Sequence, residues 1–385
     1  LEKNSGFKRL QPGREYTYLL LYAASVILNI INCIDTNKPI ESIMWDNYYE
    51  TIKMDINNDF IEVVKENKEP NQQYIRYWHG SMLILRPLLM IISLEQMYQV
   101  NYVLLIILAV ALLIMLWKES KKLAIAYLIS MIMIAFPIIA MCLEFVWPFY
   151  IMLIASMIAI NIKKDKNLYK LFLITGMITC FFDFLTTEII TLFIPLIIIF
   201  AMKKENSEIN TFKDGAIIFL KSCILWLVGY AGMWLAKWTL ASLILNINAL
   251  DYVKDQALLR VNGLQGLDSA KRMYIGAITR NWHTLYPINI VKRTSKLWWI
   301  VGSFLVFFVV VIDWKKIKKN KASLILLVIA IMPYIRYLVL ANHSYRHSFF
   351  TFRSQMISIM ALTYFILDNC RLKDKIKKLT NTQIN

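Results

Sequence analysis

Four short stretches of the sequence combine carboxyl, imidazole or guanidinium groups with aromatic side chains, and each stretch lies near an apolar run. In the first, residues 45–50, Asp46 is placed to act as a general base toward an acceptor hydroxyl, and Glu50 is a second acid close by. The same two carboxylates would also suit a divalent cation, which prefers oxygen ligands. A helix cap or a solvated turn is the structural alternative. We predict Asp46 and Glu50 as catalytic, with that cation as the one cofactor candidate.

Cations and aromatic residues fill the second stretch, residues 74–79, and the fourth, residues 342–347. Guanidinium and imidazole groups at the depth of the lipid headgroups fit a phosphate, because they donate charge-assisted hydrogen bonds to its oxygens. An aromatic belt with a snorkelling arginine is the structural alternative. The predicted phosphate-binding residues are Arg76, His79, Arg86, His343, Arg346, His347 and Arg353.

Two of these histidines, His343 and His347, are four residues apart and would share one face of a helix. That spacing also occurs in zinc sites, but the glutamate of an HExxH motif does not lie between them. The five cysteines form no CxxC pair, and four of them lie in or beside apolar runs. We therefore predict no zinc-type metal site in this chain.

The third stretch, residues 183–188, places Asp183 and Glu188 between two apolar runs with almost no loop. A carboxylate at membrane depth costs about 2.5–3.5 kcal/mol on insertion scales, so it usually faces a cavity or a partner. A position in the membrane interface, where that cost is small, is the alternative. We predict Asp183 as a third catalytic residue.

The composition indicates which elements must position these side chains. Of the 385 residues, 58% are hydrophobic and 18% are charged, against about 45–50% and about 25% in average globular domains. The apolar residues form long runs, so lipid is the expected solvent. The formal charge of +17 comes from short basic clusters beside those runs. No basic face with interleaved aromatics is present, which excludes nucleic acid as a partner.

A hydrocarbon core about 30 Å thick requires about 20 apolar residues in a helix. The fold class predicted is all-α: a single integral membrane domain over residues 1–385, forming a polytopic bundle of ten transmembrane helices. The predicted spans are 17–34, 102–117, 123–141, 147–162, 169–182, 188–202, 215–237, 298–313, 322–341 and 354–369.

The lysines and arginines predict the orientation of these spans. Every second connection is basic, and basic connections stay in the cytoplasm. This pattern predicts a multi-pass protein of the plasma membrane with both termini cytoplasmic. Two outer connections, 35–101 and 238–297, are long, and each contains a candidate interfacial helix, at 88–100 and 238–250. The remaining outer connections are 142–146, 183–187 and 342–353, so all four stretches lie on the outer side.

This layout resembles the GT-C superfamily of membrane glycosyltransferases. The shared features are a first span that leaves the cytoplasm, a long first outer loop with an acid at Asp46, and the interfacial run in that loop. The family often has paired acids there, whereas Asn47 follows Asp46 in this chain. The resemblance implies a polyprenyl-phosphate-linked sugar as donor, chemistry at the outer face and membrane lipid as a partner. It implies phosphate contacts from Arg76, Arg86, Arg346 and His347.

Three functions are consistent with these features. The first is a lipid-linked sugar transferase acting on a bacterial cell-envelope acceptor. The second is a transporter or flippase of a glycolipid or an ion, and the third is an envelope membrane protein without catalytic activity. A cavity lined by Asp46, Asp183, His79 and Arg346 would favour the transferase, and a continuous path between the two membrane faces would favour transport.

Overall fold

The structure is a computed structural model that describes residues 25–51, 56–264, 269–286 and 311–370. Every named element in these ranges is a helix, which confirms the all-α prediction. The helices are α1 (described over 25–32), α2 (Pro39–Trp45), α3 (Ile56–Glu66), α4 (Met82–Leu89), α5 (Leu94–Glu119), α6 (Lys121–Met133), α7 (Trp147–Ile160), α8 (Asp165–Phe182), α9 (Ile190–Glu205), α10 (Phe212–Leu245), α11 (Ala249–Asn262), α12 (Ala270–Thr284), α13 (Trp314–Lys319), α14 (Leu324–Val339), α15 (Ala341–Arg346), α16 (Ser348–Thr351) and α17 (Met356–Asn369).

Helix α9 lies at the centre of the bundle. Its residues from Ile190 to Ala201 are all buried, and it packs against α7, α8, α10 and α17. A helix that is apolar on every side is stable inside a helix bundle or in lipid. The sequence ITLFIPLIIIFA has no polar face, so it is compatible with the central position, and the packing of the neighbouring helices decides between the two.

Among the described residues, four helical segments are long and apolar enough to cross a membrane: Leu94–Glu119, Phe212–Leu245, Lys321–Val339 and Ser348–Asn369. The first two expose many large aliphatic side chains, including Ile107 and Leu227. Such surfaces are unfavourable in water and favourable in lipid. The structure therefore indicates membrane association.

Eight of the ten predicted spans coincide with described helices, from α5 to α10 and at α14 and α17. Most of the predicted span 298–313 and the first part of 17–34 lie outside the described residues. Among the matching helices, α6 and α7 are short, with 13 and 14 residues. The count of ten membrane crossings therefore stays a prediction.

Both predictions of interfacial helices were wrong about the helix boundaries. The run 88–100 is divided, because α4 ends at Leu89 and α5 begins at Leu94. Ser93 and Gln96, which made this run look amphipathic, form a capping box that starts α5. The run 238–250 is mostly the last part of α10, which continues to Leu245.

The basic connections meet at one end of the bundle, here called the basic end. Lys122 Nζ lies 2.8 Å from Asp368 Oδ1, and Lys204 forms an ion pair with the same carboxylate. Lys316 donates to the Asp368 backbone carbonyl. Lys203, next to Lys204, lies 3.0 Å from Asp165. The basic end therefore contains the starts of α6 and α8, the segment before α14, and the ends of α9 and α17. Because some of these helices begin there and others end there, they run in alternating directions through the bundle.

Helices α8 and α10 approach each other closely through two glycines. A methyl group at Gly176 would collide with the Trp226 carbonyl oxygen, and one at Gly229 would collide with the Leu173 carbonyl oxygen. Small residues allow this backbone contact between helices in lipid. The close approach positions the polar end of α10 beside the loop that follows α8.

We expect Gly229→Ala to destabilise the protein by about 1–3 kcal/mol, because the backbone has little freedom to move away from the added methyl group. Gly232 on the same helix is the matched control, because nothing lies within 4 Å of a Cβ built there. Gly232→Ala should be neutral or stabilising by up to about 1 kcal/mol, from helix propensity. Thermal unfolding in detergent, followed by tryptophan fluorescence, compares the two, and equal shifts would contradict the close packing.

Candidate functional site

Asp46 is held by a lysine that the sequence placed at the end of a span. Helix α2 ends at Trp45, and Asp46 follows in the left-handed region at φ 52°. Lys237 Nζ of α10 lies 2.9 Å from Asp46 Oδ2 and donates to the Ile43 carbonyl oxygen at 2.8 Å. Both side chains of this ion pair are fully buried. Burial raises the pKa of Asp46 and the Lys237 ammonium opposes that shift. This arrangement favours a positioning role for Asp46.

His79 lies between aromatic rings from two predicted stretches. Its ring centroid is 4.8 Å from that of Tyr74 and 4.7 Å from that of Phe184. Neither ring nitrogen has a hydrogen-bond partner. Burial, with Lys237 and Arg76 as further causes, holds the pKa of His79 well below its usual value. The neutral imidazole therefore joins the stretch 74–79 to the stretch 183–188.

A buried ion pair joins the third stretch to the fourth. Arg336 Nε donates to Glu188 Oε1 at 2.9 Å, and Arg336 Nη2 donates to Glu188 Oε2 at 3.1 Å. Arg336 Nη1 donates to the Ser344 hydroxyl at 3.2 Å. Bidentate pairing of this kind fixes both side chains in orientation as well as in distance. The pair therefore holds the helix α15 region against the loop before α9.

Asp183 and Glu144 form the acidic part of the site. Asp183 accepts a hydrogen bond from the Thr186 backbone N–H at 3.0 Å and another from the Thr186 hydroxyl. Glu144 is partly exposed, and no hydrogen-bond partner for its carboxyl group occurs among the described residues. Burial and the neighbouring Asp183 charge raise the pKa of Glu144 to about 8. Burial and Glu188 also raise the pKa of Asp183. Glu144 is therefore a carboxyl group that changes charge near neutral pH.

His343 and His347 lie together, and both rings contact Phe350. Their ring centroids are 4.8 Å apart, as the spacing of four predicted. Burial, with Arg260 and Arg336 among the further causes, lowers the pKa of both imidazoles, that of His347 to about 4. Both rings are consequently neutral at pH 7. The described part of the chain contains no group of three His, Cys, Asp or Glu residues suited to a metal ion.

Three further predicted residues are the arginines Arg76, Arg346 and Arg353. Arg76 stacks on Tyr74, with its guanidinium carbon 3.9 Å from the ring centroid. Arg353 is buried and donates to the Phe349 carbonyl oxygen at 3.3 Å. Arg346 is exposed, but its charge still lowers the pKa of His347.

The last two predicted residues are Glu50 and Arg86. Glu50 accepts a hydrogen bond from the Tyr48 hydroxyl, and its backbone N–H donates to Asn71 Oδ1 at 3.0 Å. Arg86 lies in the last turn of α4, whose exposed face carries Leu83 and Met90. These surroundings are typical of an arginine that snorkels beside lipid. Glu50 is therefore connected to the polar residues through Tyr48, whose ring centroid lies 5.9 Å from that of Tyr74.

Sequence reasoning missed three charged residues of the site. The sequence pattern places Lys237 at the end of an apolar run, Glu144 in a short connection and Arg260 in a long loop. The cost of a carboxylate at membrane depth, which identified Asp183, applies equally to Glu144, which stands in a five-residue connection between apolar runs.

The titratable residues described above form one group, here called the polar cluster, at the opposite end of the bundle from Asp368. Its members are Tyr74, Arg76, His79, Glu144, Asp183, Glu188, Lys237, Arg260, Arg336, His343 and His347.

No family model, no curated protein and no solved structure matches this chain. The fold and the site define only a class: an all-helical protein with apolar helices long enough to cross a membrane and a polar cluster at one end of its bundle. Any assignment of function depends on the geometry of that cluster.

The raised pKa of Glu144 predicts a pH dependence of stability. The folded protein holds this proton more tightly than the unfolded chain, so the stabilisation is present below the unfolded pKa and is lost as pH rises through about 8. The melting temperature should therefore fall from pH 6 to pH 9, and Glu144→Gln should reduce that fall. Glu95→Gln, on the exposed first turn of α5, should leave the pH profile unchanged. Identical profiles for the wild type and Glu144→Gln would contradict the assignment.

Proposed function

We propose that this chain is a polytopic membrane transferase that moves a sugar from a polyprenyl-phosphate carrier to a cell-envelope acceptor. The observation that carries the proposal is the convergence of Glu144, Asp183, His79 and His343 from four separate connections. These connections meet at one end of the bundle, and the lysine-rich connections meet at the other.

The positive-inside rule orients the bundle. Connections rich in lysine stay in the cytoplasm, so the basic end around Asp368 is cytoplasmic. The polar cluster then faces the extracytoplasmic side, where lipid-linked sugars are donors. In the proposal the chain crosses the plasma membrane ten times, with both termini in the cytoplasm.

Glu144 is the proposed general base. Its pKa of about 8 lies near the operating pH, where a carboxyl group exchanges protons efficiently. In the proposed step the Glu144 carboxylate takes the acceptor hydroxyl proton, and the acceptor oxygen bonds to the anomeric carbon of the sugar. The bond from that carbon to the carrier phosphate breaks, and the electron pair leaves with the phosphate.

The cations near Glu144 suit the leaving phosphate. The positive charge of Arg353 acts to lower the pKa of the Cys142 thiol, two residues before Glu144. The positive charge of Arg260 contributes to the low pKa of His343 and His347. Negative charge develops on the phosphate as the bond breaks, so fixed cations there stabilise the transition state. Asp46 and Lys237 support the site by holding the end of α2 against α10.

The distribution of buried charge favours a transferase over a transporter. Among the described residues, Asp368 is buried at the basic end, while Asp46, Asp183, Glu188, Lys237, Arg336 and Arg353 are buried at the other end. Between these ends the central helix α9 offers only apolar side chains and Thr191. A site at one face suits chemistry on a substrate held in the outer leaflet.

Purified protein in lipid nanodiscs tests the proposal. With a radiolabelled polyprenyl-phosphate sugar and total envelope glycans, we expect labelled product and free polyprenyl phosphate in equal amounts. A parallel assay in liposomes measures whether a fluorescent glycolipid moves between leaflets. Movement of the glycolipid without product would contradict the transferase and support a flippase.

A further inference from the structure

A cavity lies apart from the polar cluster, beyond the end of α1. It has a volume of about 700 Å³ and lies between α2 and the residues 67–70 that follow α3. Trp45 and Asn47, the two neighbours of Asp46, line it, while Asp46 itself points away to Lys237. The Asp46–Lys237 pair therefore fixes the turn that presents Trp45 and Asn47 to the cavity. No member of the polar cluster lines it.

The cavity contains polar side chains that are open to solvent, with Asn47 half-buried and Asn32, Asn67 and Glu69 exposed. Asn32, Asn47, Asn67 and Glu69 line it, and none of these side chains has a hydrogen-bond partner among the described residues. Each amide offers two donors and an acceptor, and the carboxylate offers acceptors. A ligand that carries both donors and acceptors on adjacent groups matches this set. Hydroxyl groups have that property, whereas a phosphate presents acceptors and an ammonium presents donors.

The charges around the cavity nearly balance. Asp35, Glu41 and Glu69 face it together with Lys38 and Lys68. Both lysines already have partners, because Lys38 lies 3.7 Å from Glu41 and Lys68 lies 2.9 Å from Glu66. A strongly anionic ligand would meet three carboxylates and two paired cations, so the lining favours a neutral ligand.

Ile34, Trp45 and Pro70 contribute the apolar part of the cavity lining. The Trp45 ring packs edge-on against Tyr252, with centroids 5.6 Å apart, and the Trp45 carbonyl oxygen accepts a hydrogen bond from the Tyr74 N–H at 3.1 Å. A fixed aromatic side chain among polar groups combines an apolar contact with hydrogen bonding. A sugar ring has a matching structure, with C–H groups on its faces and hydroxyl groups on its edge.

We propose that this cavity binds a neutral carbohydrate, with Asn47 and Asn67 hydrogen-bonded to its hydroxyl groups and the ring packed on Trp45. The proposal does not depend on the transfer reaction, because none of the residues assigned to that reaction lines the cavity. In an active transferase the cavity would hold part of the acceptor glycan.

Saturation-transfer NMR on the full chain in nanodiscs tests the binding. The probes are a panel of neutral oligosaccharides, glucose 1-phosphate and glucosamine. We expect signal from at least one neutral oligosaccharide, a loss of at least tenfold in affinity with Asn47→Ala/Asn67→Ala, and no loss with Gln72→Ala. Gln72 is an exposed amide of the same loop outside the cavity.

Four outcomes overturn this inference: no signal from any neutral sugar, a stronger signal from the phosphate or the amine, equal effects of the cavity and control variants, or loss of binding in Glu144→Gln. Glu144→Gln separates this inference from the proposed function. Binding that persists in Glu144→Gln supports a site independent of the transfer step. Loss of binding in that variant would show that the sugar occupies the polar cluster instead.

Discussion

Replacing Arg336 by methionine is expected to lower the free energy of unfolding by about 3–5 kcal/mol, because it leaves a buried carboxylate without a partner. The Arg336 and Glu188 side chains are only 6% and 5% exposed. Arg336 also donates to the Ser344 hydroxyl and the Leu185 carbonyl oxygen, so the same change leaves several polar groups unsatisfied. Unfolding of the detergent-solubilised protein by a denaturing surfactant, followed by circular dichroism, measures the loss.

The matched controls distinguish the ion pair from a general effect of losing an arginine. Arg346, ten residues further on, is exposed, so Arg346→Met should change stability by less than about 1 kcal/mol. The double variant Arg336→Met/Glu188→Leu removes both charges and should recover part of the stability. A double variant that is less stable than Arg336→Met would contradict this account.

The pair also explains why two distant stretches of sequence belong to one site. Glu188 lies just before α9 and Arg336 lies near the end of α14, so their contact fixes the register between these helices. A bidentate contact allows little rotation of either helix. We expect Arg336→Met to displace His343 as well, because Ser344 beside it loses its donor.

The sequence predicted the elements better than the partners. Runs of apolar residues identify helices such as α5 and α9 directly, because period and length are local properties. The burial cost of a carboxylate identified Asp183 for the same local reason. By contrast, the pairing of Asp46 with Lys237 joins residues 191 apart in the chain. It depends on the rotation of α10 about its axis, which tertiary packing determines.

The helix boundaries illustrate the same limit. Lys237 looked like the polar end of a span, yet α10 continues to Leu245 because the ammonium is neutralised inside the protein by Asp46. Ser93 and Gln96 looked like the polar side of a surface helix, yet they cap α5. In both cases the composition of a segment was interpreted without the partner that satisfies its polar groups.

Glu144→Gln is expected to reduce the rate of sugar transfer by about 10²–10⁴-fold, the usual contribution of a general base. Glutamine keeps the size of the side chain but takes up no proton. Since the Glu144 carboxyl has no hydrogen-bond partner among the described residues, its loss should leave the fold intact. The single-turnover rate with a lipid-linked sugar in nanodiscs measures the effect, and the melting temperature verifies the fold.

Asp46→Asn is the decisive comparison, because the sequence alone favoured Asp46 as the base. Lys237 Nζ can still donate to an amide oxygen at position 46 and to the Ile43 carbonyl oxygen, so part of the buried contact survives. Asp46→Asn should therefore lower stability and change the rate by less than Glu144→Gln does. If instead Asp46→Asn abolishes transfer in a stable protein while Glu144→Gln remains active, Asp46 is the base. The Lys237 contact would then have to open when the acceptor binds, since a proton can be taken only by a carboxylate within hydrogen-bonding distance of the acceptor hydroxyl.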